Sequence, residues 1–319
     1  MNPRLVRLLP RGLLRLLLTV LQGVGKNNFD DSATLFSAYD FIIVGAGSGG
    51  SVVGSRLAEV EGWRVLVLEA GAPSPLEAQV PAYNLFLMQS EVDWNYFTTP
   101  QHHGLLAYTN RSCPYPLGRA VGGSSAINWM MYVRGNRRDY DSWEAQGNPG
   151  WSYQEVLKYF KKAEDYRGKR NIETAQFHGQ GGPMGVEDKR WWTPLLDGFL
   201  RAGEELGYKV IDPNGPEQIG FSVADMTHRN GRRDSVAEAY LTPAGRRGNL
   251  HVVSNAFVTQ ILFSSSRRAE GVRFEHRGKV RTVQASKEVI LSAGAVGTPK
   301  LLMVSGVGPA RHLHHHGVK

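Results

Sequence analysis

The sequence predicts an α/β fold, α+β overall, in which a parallel sheet is joined by an antiparallel β-meander and the chain between them is inserted. Three observations predict it. Residues 39–69 read as strand, glycine turn, helix and strand; residues 250–291 read as a series of short strands with turns between them; and the interval from about 151 to 226 carries two helices among glycine-rich loops. A chain of 319 residues, 41% apolar and 21% charged, has room for one large or two ordinary domains with a buried core. A mean hydropathy of −0.31 excludes a multi-span membrane protein. Cys113 is the single cysteine, so no intrachain disulfide framework holds the fold.

Residues 1–35 form the first unit. Arg4, Arg7, Arg11 and Arg15 are spaced three, four and four apart, so on a helix they share one face with leucines around the rest, and no acidic residue precedes Asp30. This is the pattern of a targeting leader. The acid-free arginine face fits a mitochondrial presequence; a secretory signal peptide or membrane anchor is the alternative, with Arg15 interrupting its apolar stretch. Either form allows membrane association through the leader. The net charge of +8 suggests an anionic partner at first sight, but five of the 37 basic residues lie before Asp30, which leaves 32 against 29 acidic ones, or +3. A near-balanced body does not support nucleic-acid binding.

Tyr39-Asp40-Phe41-Ile42-Ile43-Val44 has strand character and runs directly into Gly45-Ala46-Gly47-Ser48-Gly49-Gly50. A helix is expected over 51–59, with Val52, Val53, Leu57 and Val60 on one face, and a second strand over 64–68. Gly45, Gly47 and Gly50 match G-x-G-x-x-G, whose glycines permit a tight turn, close approach of a pyrophosphate and helix-to-strand packing, while the helix N-terminus offers free N–H groups to phosphate. Ser48 and Gly49 complete the turn. Glu69, with Ala70 beside it, ends the second strand and is placed to accept hydrogen bonds from an adenosine ribose. The unit is thus Rossmann-like and predicts a dinucleotide, FAD or NAD. The regular alternation of strands and helices expected of an NAD enzyme is broken by the Pro-, Gly- and aromatic-rich stretch from Gly71 to Leu117.

Next comes Gly118-Arg119-Ala120-Val121-Gly122-Gly123-Ser124-Ser125-Ala126-Ile127-Asn128-Trp129-Met130-Met131, and much later Ser292-Ala293-Gly294-Ala295-Val296-Gly297-Thr298-Pro299. Taken with the first glycine turn, these segments resemble the two signatures of the glucose–methanol–choline (GMC) oxidoreductases, and the resemblance runs from about Tyr39 to the last residue, nearest the choline dehydrogenase and glucose dehydrogenase branches. It implies FAD as the cofactor. It also implies that Arg119, Val121 and Asn128, Trp129, Met130 and Met131 line the flavin, that Val258 contacts the adenine end, and that Gly294 lies near the pyrophosphate. Met130 and Met131 read equally well as core packing. Gly122 and Gly123 suit close approach of backbone to the flavin ring, and Ser124, Ser125 and Asn128 offer short polar groups to its oxygens and nitrogens.

The remaining elements complete the reading. Helices are expected over 153–163 and 193–205, within the interval that the family uses on its substrate side; short strands over 250–253, 256–263, 271–275 and 280–285 suit an antiparallel meander laid on the nucleotide-binding sheet. A buried strand over 289–291 returns to that sheet, and Thr298-Pro299 is expected to open the last long helix. Residues 36–319 are therefore read as a FAD-binding domain with interleaved substrate-side segments. His312, His314, His315 and His316 lack the second ligand cluster and spacing of a zinc motif, so no metal site is expected.

The resemblance implies hydride transfer from the CH–OH group of a small alcohol, choline or sugar substrate to flavin N5, with quinone or oxygen as electron acceptor. The family's histidine base lies beyond Lys319, so no catalytic residue is assigned, the chain is expected to be incomplete at its C-terminus, and residues 1–319 alone are expected to be inactive. A naturally short, non-catalytic FAD-binding protein is the alternative.

Overall fold

The computed structural model describes residues 35–169, 174–189 and 191–318; except for Leu35, the expected leader lies outside the described residues. Six strands make one mixed sheet: β1 (Ala38–Val44), β2 (Val65–Leu68), β3 (Leu250–Val253), β4 (Ala256–Phe263), β5 (Ala269–His276) and β6 (Lys279–Leu291), in the spatial order β4-β5-β6-β1-β2-β3. β6, β1, β2 and β3 run parallel, whereas β4, β5 and the first half of β6 are antiparallel. The Val65-Leu66-Val67-Leu68 run is apolar at every position because both faces of this strand are covered, and all four side chains are buried.

Helix α1 (Ser48–Leu57) packs on one face, where Val53 and Leu57 meet Ile43, Val65, Val67 and Leu250. The opposite face carries Ile42, Leu66 and Leu68 against Leu301 of helix α5 (Gly294–Val304) and against Val258, Val272 and Phe274 of the meander. Only Ser254-Asn255 joins β3 to β4, although these strands are the two outer edges of the sheet. Such a short link requires the sheet to curl, so that the meander covers a face of the parallel half. Three further helices, α2 (Arg137–Ala145), α3 (Tyr153–Ala163) and α4 (Pro194–Glu205), belong to the inserted segments, and α6 (Ala310–His315) follows α5.

Several expectations are revised. Leu250–Val253 is not a meander strand; it pairs in parallel with β2, reached by a long crossover whose Ala237 and Leu241 share the α1-side core. The strands expected over 280–285 and 289–291 are one strand of 13 residues. The polar Ser286-Lys287 pair in the interval between them is a bulge: Tyr39 opposes Ala285 and Phe41 opposes Glu288, and Ser286 Oγ donates to Asp40 Oδ1 at 2.9 Å. The helix after the glycine turn begins at Ser48, three residues before the expected start. α5 begins at Gly294 with Pro299 inside it, while Thr298 Oγ1 accepts from Ala293 N at 3.1 Å and braces the entry. α2 was not anticipated; its capping box of Asn136 and Asp139 is a local signal present in the sequence.

Candidate functional site

Strand register places Val44, Leu68, Val253 and Leu291 side by side at the C-terminal ends of four parallel strands. The loops after them emerge together, with β1 flanked by β2 on one side and β6 on the other, the arrangement that leaves a crevice in open α/β sheets. A cleft of about 480 Å³ opens there. Among its lining residues are Gly45, Gly47, Ser48, Gly49, Glu69, Ala70, Gly123, Ser124, Val258 and Gly294, so the structure brings together segments more than two hundred residues apart. The same walls include Trp94, Tyr96 and Lys300, which sequence reasoning did not single out.

The cleft floor is made of backbone packed against backbone. Gly45 has φ +100°, and a Cβ there would fall 2.4 Å from Ser292 O; Gly123 has φ +54°, and its Cβ would fall 2.7 Å from Gly47 Cα. The two glycine turns therefore touch directly. A packing demand for glycine thus stands beside the expected close approach of a flavin: at Gly123 a side chain would collide with Gly47, and at Gly122, where φ is +103°, it would press on Ala237 Cβ at 3.3 Å and Ser235 Oγ at 3.4 Å. Gly294, at φ +82° with nothing within 4 Å of a Cβ position, borders open space.

Donors predominate along this floor. α1 follows Gly47 and α5 follows Ala293 as N-cap residues, each without a side-chain cap or an acidic residue in the helix's first turn, so both N-termini bring unclaimed N–H groups and positive dipole ends to the cleft edge. That donor set fits a pyrophosphate. Glu69 is 6% exposed and is already engaged: Oε2 accepts from Ala46 N at 2.8 Å and Oε1 from Gly71 N at 2.9 Å. Burial pushes its carboxyl up, against the lowering effect of those two N–H groups. Its carboxylate thus holds the glycine turn in place as well as lining the cleft.

The other predicted residues lie around the cleft rather than on its walls. Gly50 packs under Gly45, where a Cβ would meet Gly45 O at 1.9 Å; Val121 is in the core shared with α1. Arg119 is exposed and lies over the Trp94 ring at 5.1 Å, and Trp94 stacks on Tyr96 at 5.9 Å. Met130 is buried with φ +63°, consistent with the packing alternative, whereas Asn128, Trp129 and Met131 are exposed. Asn128 Oδ1 accepts from Met130 N at 3.0 Å and from Arg233 Nη1 at 2.8 Å.

A second polar centre sits in the inserted segments, away from the cleft walls. Buried Glu164 accepts from Arg134 Nη2 at 2.6 Å, from Gly179 N at 2.6 Å and pairs with His178 Nδ1 at 3.0 Å; His178 Nε2 meets Asp212 at 2.6 Å, and the Tyr166 ring stacks on the imidazole at 3.9 Å. Burial works against a charged His178, but Asp212 and Glu164 outweigh it and raise its pKa to about 9. This cluster ties four distant segments together. Among the described residues no group of side chains has the composition of a metal centre.

The profile of the GMC oxidoreductase family matches residues 39–318. A glucose dehydrogenase [FAD, quinone] from Drosophila pseudoobscura pseudoobscura is 46% identical over 283 residues, covering 88% of this chain and 45% of its own. An oxygen-dependent choline dehydrogenase from Brucella anthropi is 41% identical over 284 residues, 88% of this chain and 50% of that one. Among solved structures, pyridoxine 4-oxidase from Mesorbium loti superposes with a TM-score of 0.80 at 32% identity over 88% of this chain and 54% of its own. A FAD-dependent oxidoreductase from Chaetomium thermophilum gives 0.80 at 32% identity over 88% and 50%. The chain spans about half the length of the curated relatives it matches.

Proposed function

The chain belongs to the GMC oxidoreductase family, and from that membership we propose that it forms the FAD-binding portion of an enzyme oxidising the CH–OH group of a small alcohol, choline-like or sugar donor. The observation that carries the reading is the single cleft in which the first glycine turn, Glu69, the Gly123-Ser124 turn, Val258 and Gly294 meet. Family members bind FAD, and the residues present suit it: two uncapped helix N-termini for the pyrophosphate, Glu69 at the end of β2 for the ribose, and a partly apolar cleft for the rings.

When bound, FAD supplies a hydride acceptor for the substrate carbon. This chain's own residues would hold and orient that group: the Gly45–Gly50 turn and Ser292–Gly294 would meet the phosphate region, Trp94 and Tyr96 would form an aromatic wall, and the Gly122–Asn128 turn is fixed through Gly123 against Gly47. Among the described residues that line the cleft there is no histidine. The two relatives' names differ in substrate and electron acceptor, and both choices stay within the proposed class.

The test is a titration of the purified 319-residue chain with FAD and, separately, NAD, read by flavin fluorescence and tryptophan quenching. One FAD per chain, with NAD binding far more weakly, is the expected result. A chain folded by circular dichroism that binds no FAD, or prefers NAD, would overturn the reading.

A further inference from the structure

Arg233 lies at the end of a tight hairpin in which His228–Arg229 pairs with Arg232–Arg233 around Asn230-Gly231, and it is 3% exposed. Nε donates to Ala78 O at 2.7 Å, and Nη1 donates to Ser125 O at 3.0 Å and to Asn128 Oδ1 at 2.8 Å. Among the described residues, Nη2 is buried with no hydrogen-bond partner. Every acceptor is neutral. Burial alone lowers its pKa, to about 10, with no opposing carboxylate, so the group stays cationic at neutral pH. An unpaired buried cation costs several kcal/mol, more than holding three acceptors in place would require.

The segment carrying Arg233 backs the Gly122–Asn128 turn along its length. Val236 N donates to Ser125 Oγ at 3.1 Å, and Ser235 and Ala237 pack against Gly122. The Asn128 amide is thereby fixed: its Oδ1 takes hydrogen bonds from both Arg233 and Met130 N, which leaves Nδ2 as the group of this exposed side chain with donors to offer. Gly123 and Ser124, in the same turn, line the cleft.

We propose that Arg233 is a positioning residue for the flavin: it locks the Asn128 carboxamide so that Nδ2 stands as a fixed donor beside the cofactor, and it holds a positive charge behind the turn that favours the electron-rich, reduced ring. This rests on the FAD reading above. The guanidinium fork is needed because one planar group must reach Ala78 O, Ser125 O and Asn128 Oδ1 at once, which a lysine ammonium cannot match.

The experiment titrates FAD into the wild-type chain and into Arg233→Lys, Arg233→Met, Asn128→Ala and the Arg233→Met/Asn128→Ala double variant, and measures the midpoint potential of the bound flavin. Arg233→Met and Asn128→Ala should each weaken FAD by about tenfold, the size of one charge-assisted hydrogen bond, and the double variant by clearly less than the product of the two. The potential should fall in Arg233→Met and stay near wild type in Arg233→Lys. Folded Arg233→Met that matches wild type in affinity and potential, or single effects that multiply in the double variant, overturns the assignment while leaving FAD binding intact. Should Arg233→Met not fold, Arg233→Lys and Asn128→Ala decide: the Asn128→Ala affinity loss must shrink in an Arg233→Lys background, and an unchanged loss refutes the coupling. A wild-type chain that binds no FAD overturns the FAD reading itself, and this proposal with it.

Discussion

Replacing Gly123 by alanine adds a methyl carbon 2.7 Å from Gly47 Cα, at a backbone angle of φ +54°. Two costs follow. Holding an L-residue in the left-handed region costs about 1–2 kcal/mol, and forcing a methyl into closed packing costs about 1–3 kcal/mol, so the variant should lose about 2–5 kcal/mol of a stability that is ordinarily about 5–15 kcal/mol. The obstacle is backbone, not the tip of a flexible side chain, so the two turns must separate to make room. Gly147 supplies the control: its φ is +95° but nothing lies within 4 Å of its Cβ position, so Gly147→Ala incurs only the conformational cost, about 1–2 kcal/mol. Gly62, without positive φ and equally open, should accept alanine with a gain of about 0.4–1 kcal/mol through the unfolded state. Urea unfolding followed by tryptophan fluorescence gives all three, provided the slopes agree. FAD affinity should fall in Gly123→Ala alone. If Gly123→Ala loses no more than Gly147→Ala, the contact between the two glycine turns is not what demands glycine there.

Stability should fall as pH rises from about 6.5 to about 9, because folded His178, held charged by Asp212 and Glu164 with Tyr166 and Arg134 around them, keeps a proton that the unfolded chain releases. The loss is on the order of 3 kcal/mol, and His178→Gln should flatten that part of a urea-midpoint profile; a flat wild-type profile would refute the assignment. Glu69→Gln offers one acceptor oxygen and an NH₂ where two N–H groups now find acceptors, so denaturation should show a loss of about 1–3 kcal/mol and FAD titration a weaker cofactor; an unaltered midpoint would count against the paired hydrogen bonds. ADP should bind the chain and compete with FAD, whereas adenosine, lacking the pyrophosphate, should bind at least about tenfold more weakly by calorimetry; equal binding would place the phosphates away from the α1 and α5 N-termini.

The parts of the fold legible in the sequence are those specified by neighbours along the chain. β1, its glycine turn and β2 follow from local period and turn chemistry, and α3 spans the expected Tyr153–Ala163 because its apolar spacing is self-contained. Pairing partners are another matter. Leu250–Val253 carries nothing in its own residues that distinguishes a meander strand from a fourth parallel strand; the crossover packed on α1 decides it. The β6 bulge likewise depends on Asp40, nearly 250 residues earlier, receiving the Ser286 hydroxyl. At the site, the glycine pattern marked turns that meet at the cleft, yet the tight contact at Gly122 and the collision at Gly123 involve Ala237 and Gly47, which no local reading connects. Arg233 was within reach in part. Asn230-Gly231 is a strong hairpin signal, but its consequence for Asn128 spans 105 residues.

The two polar centres solve the same burial problem in opposite ways. In the inserted segments, Arg134 and His178 face Glu164 and Asp212, so each charge meets its opposite within the chain, even though Arg134 Nε is buried without a hydrogen-bond partner among the described residues. Around the cleft, compensation is withheld: the first turns of α1 and α5 have no acidic residue, and Arg233 has no carboxylate. A purely structural region gains nothing from such an excess of donors and positive charge, since unpaired groups only lower stability. A region that receives an anionic, acceptor-rich ligand gains their full interaction when that ligand arrives. On the FAD reading proposed above, this imbalance, more than the shape of the cleft, is what distinguishes a centre that would bind a ligand from one that holds the chain together.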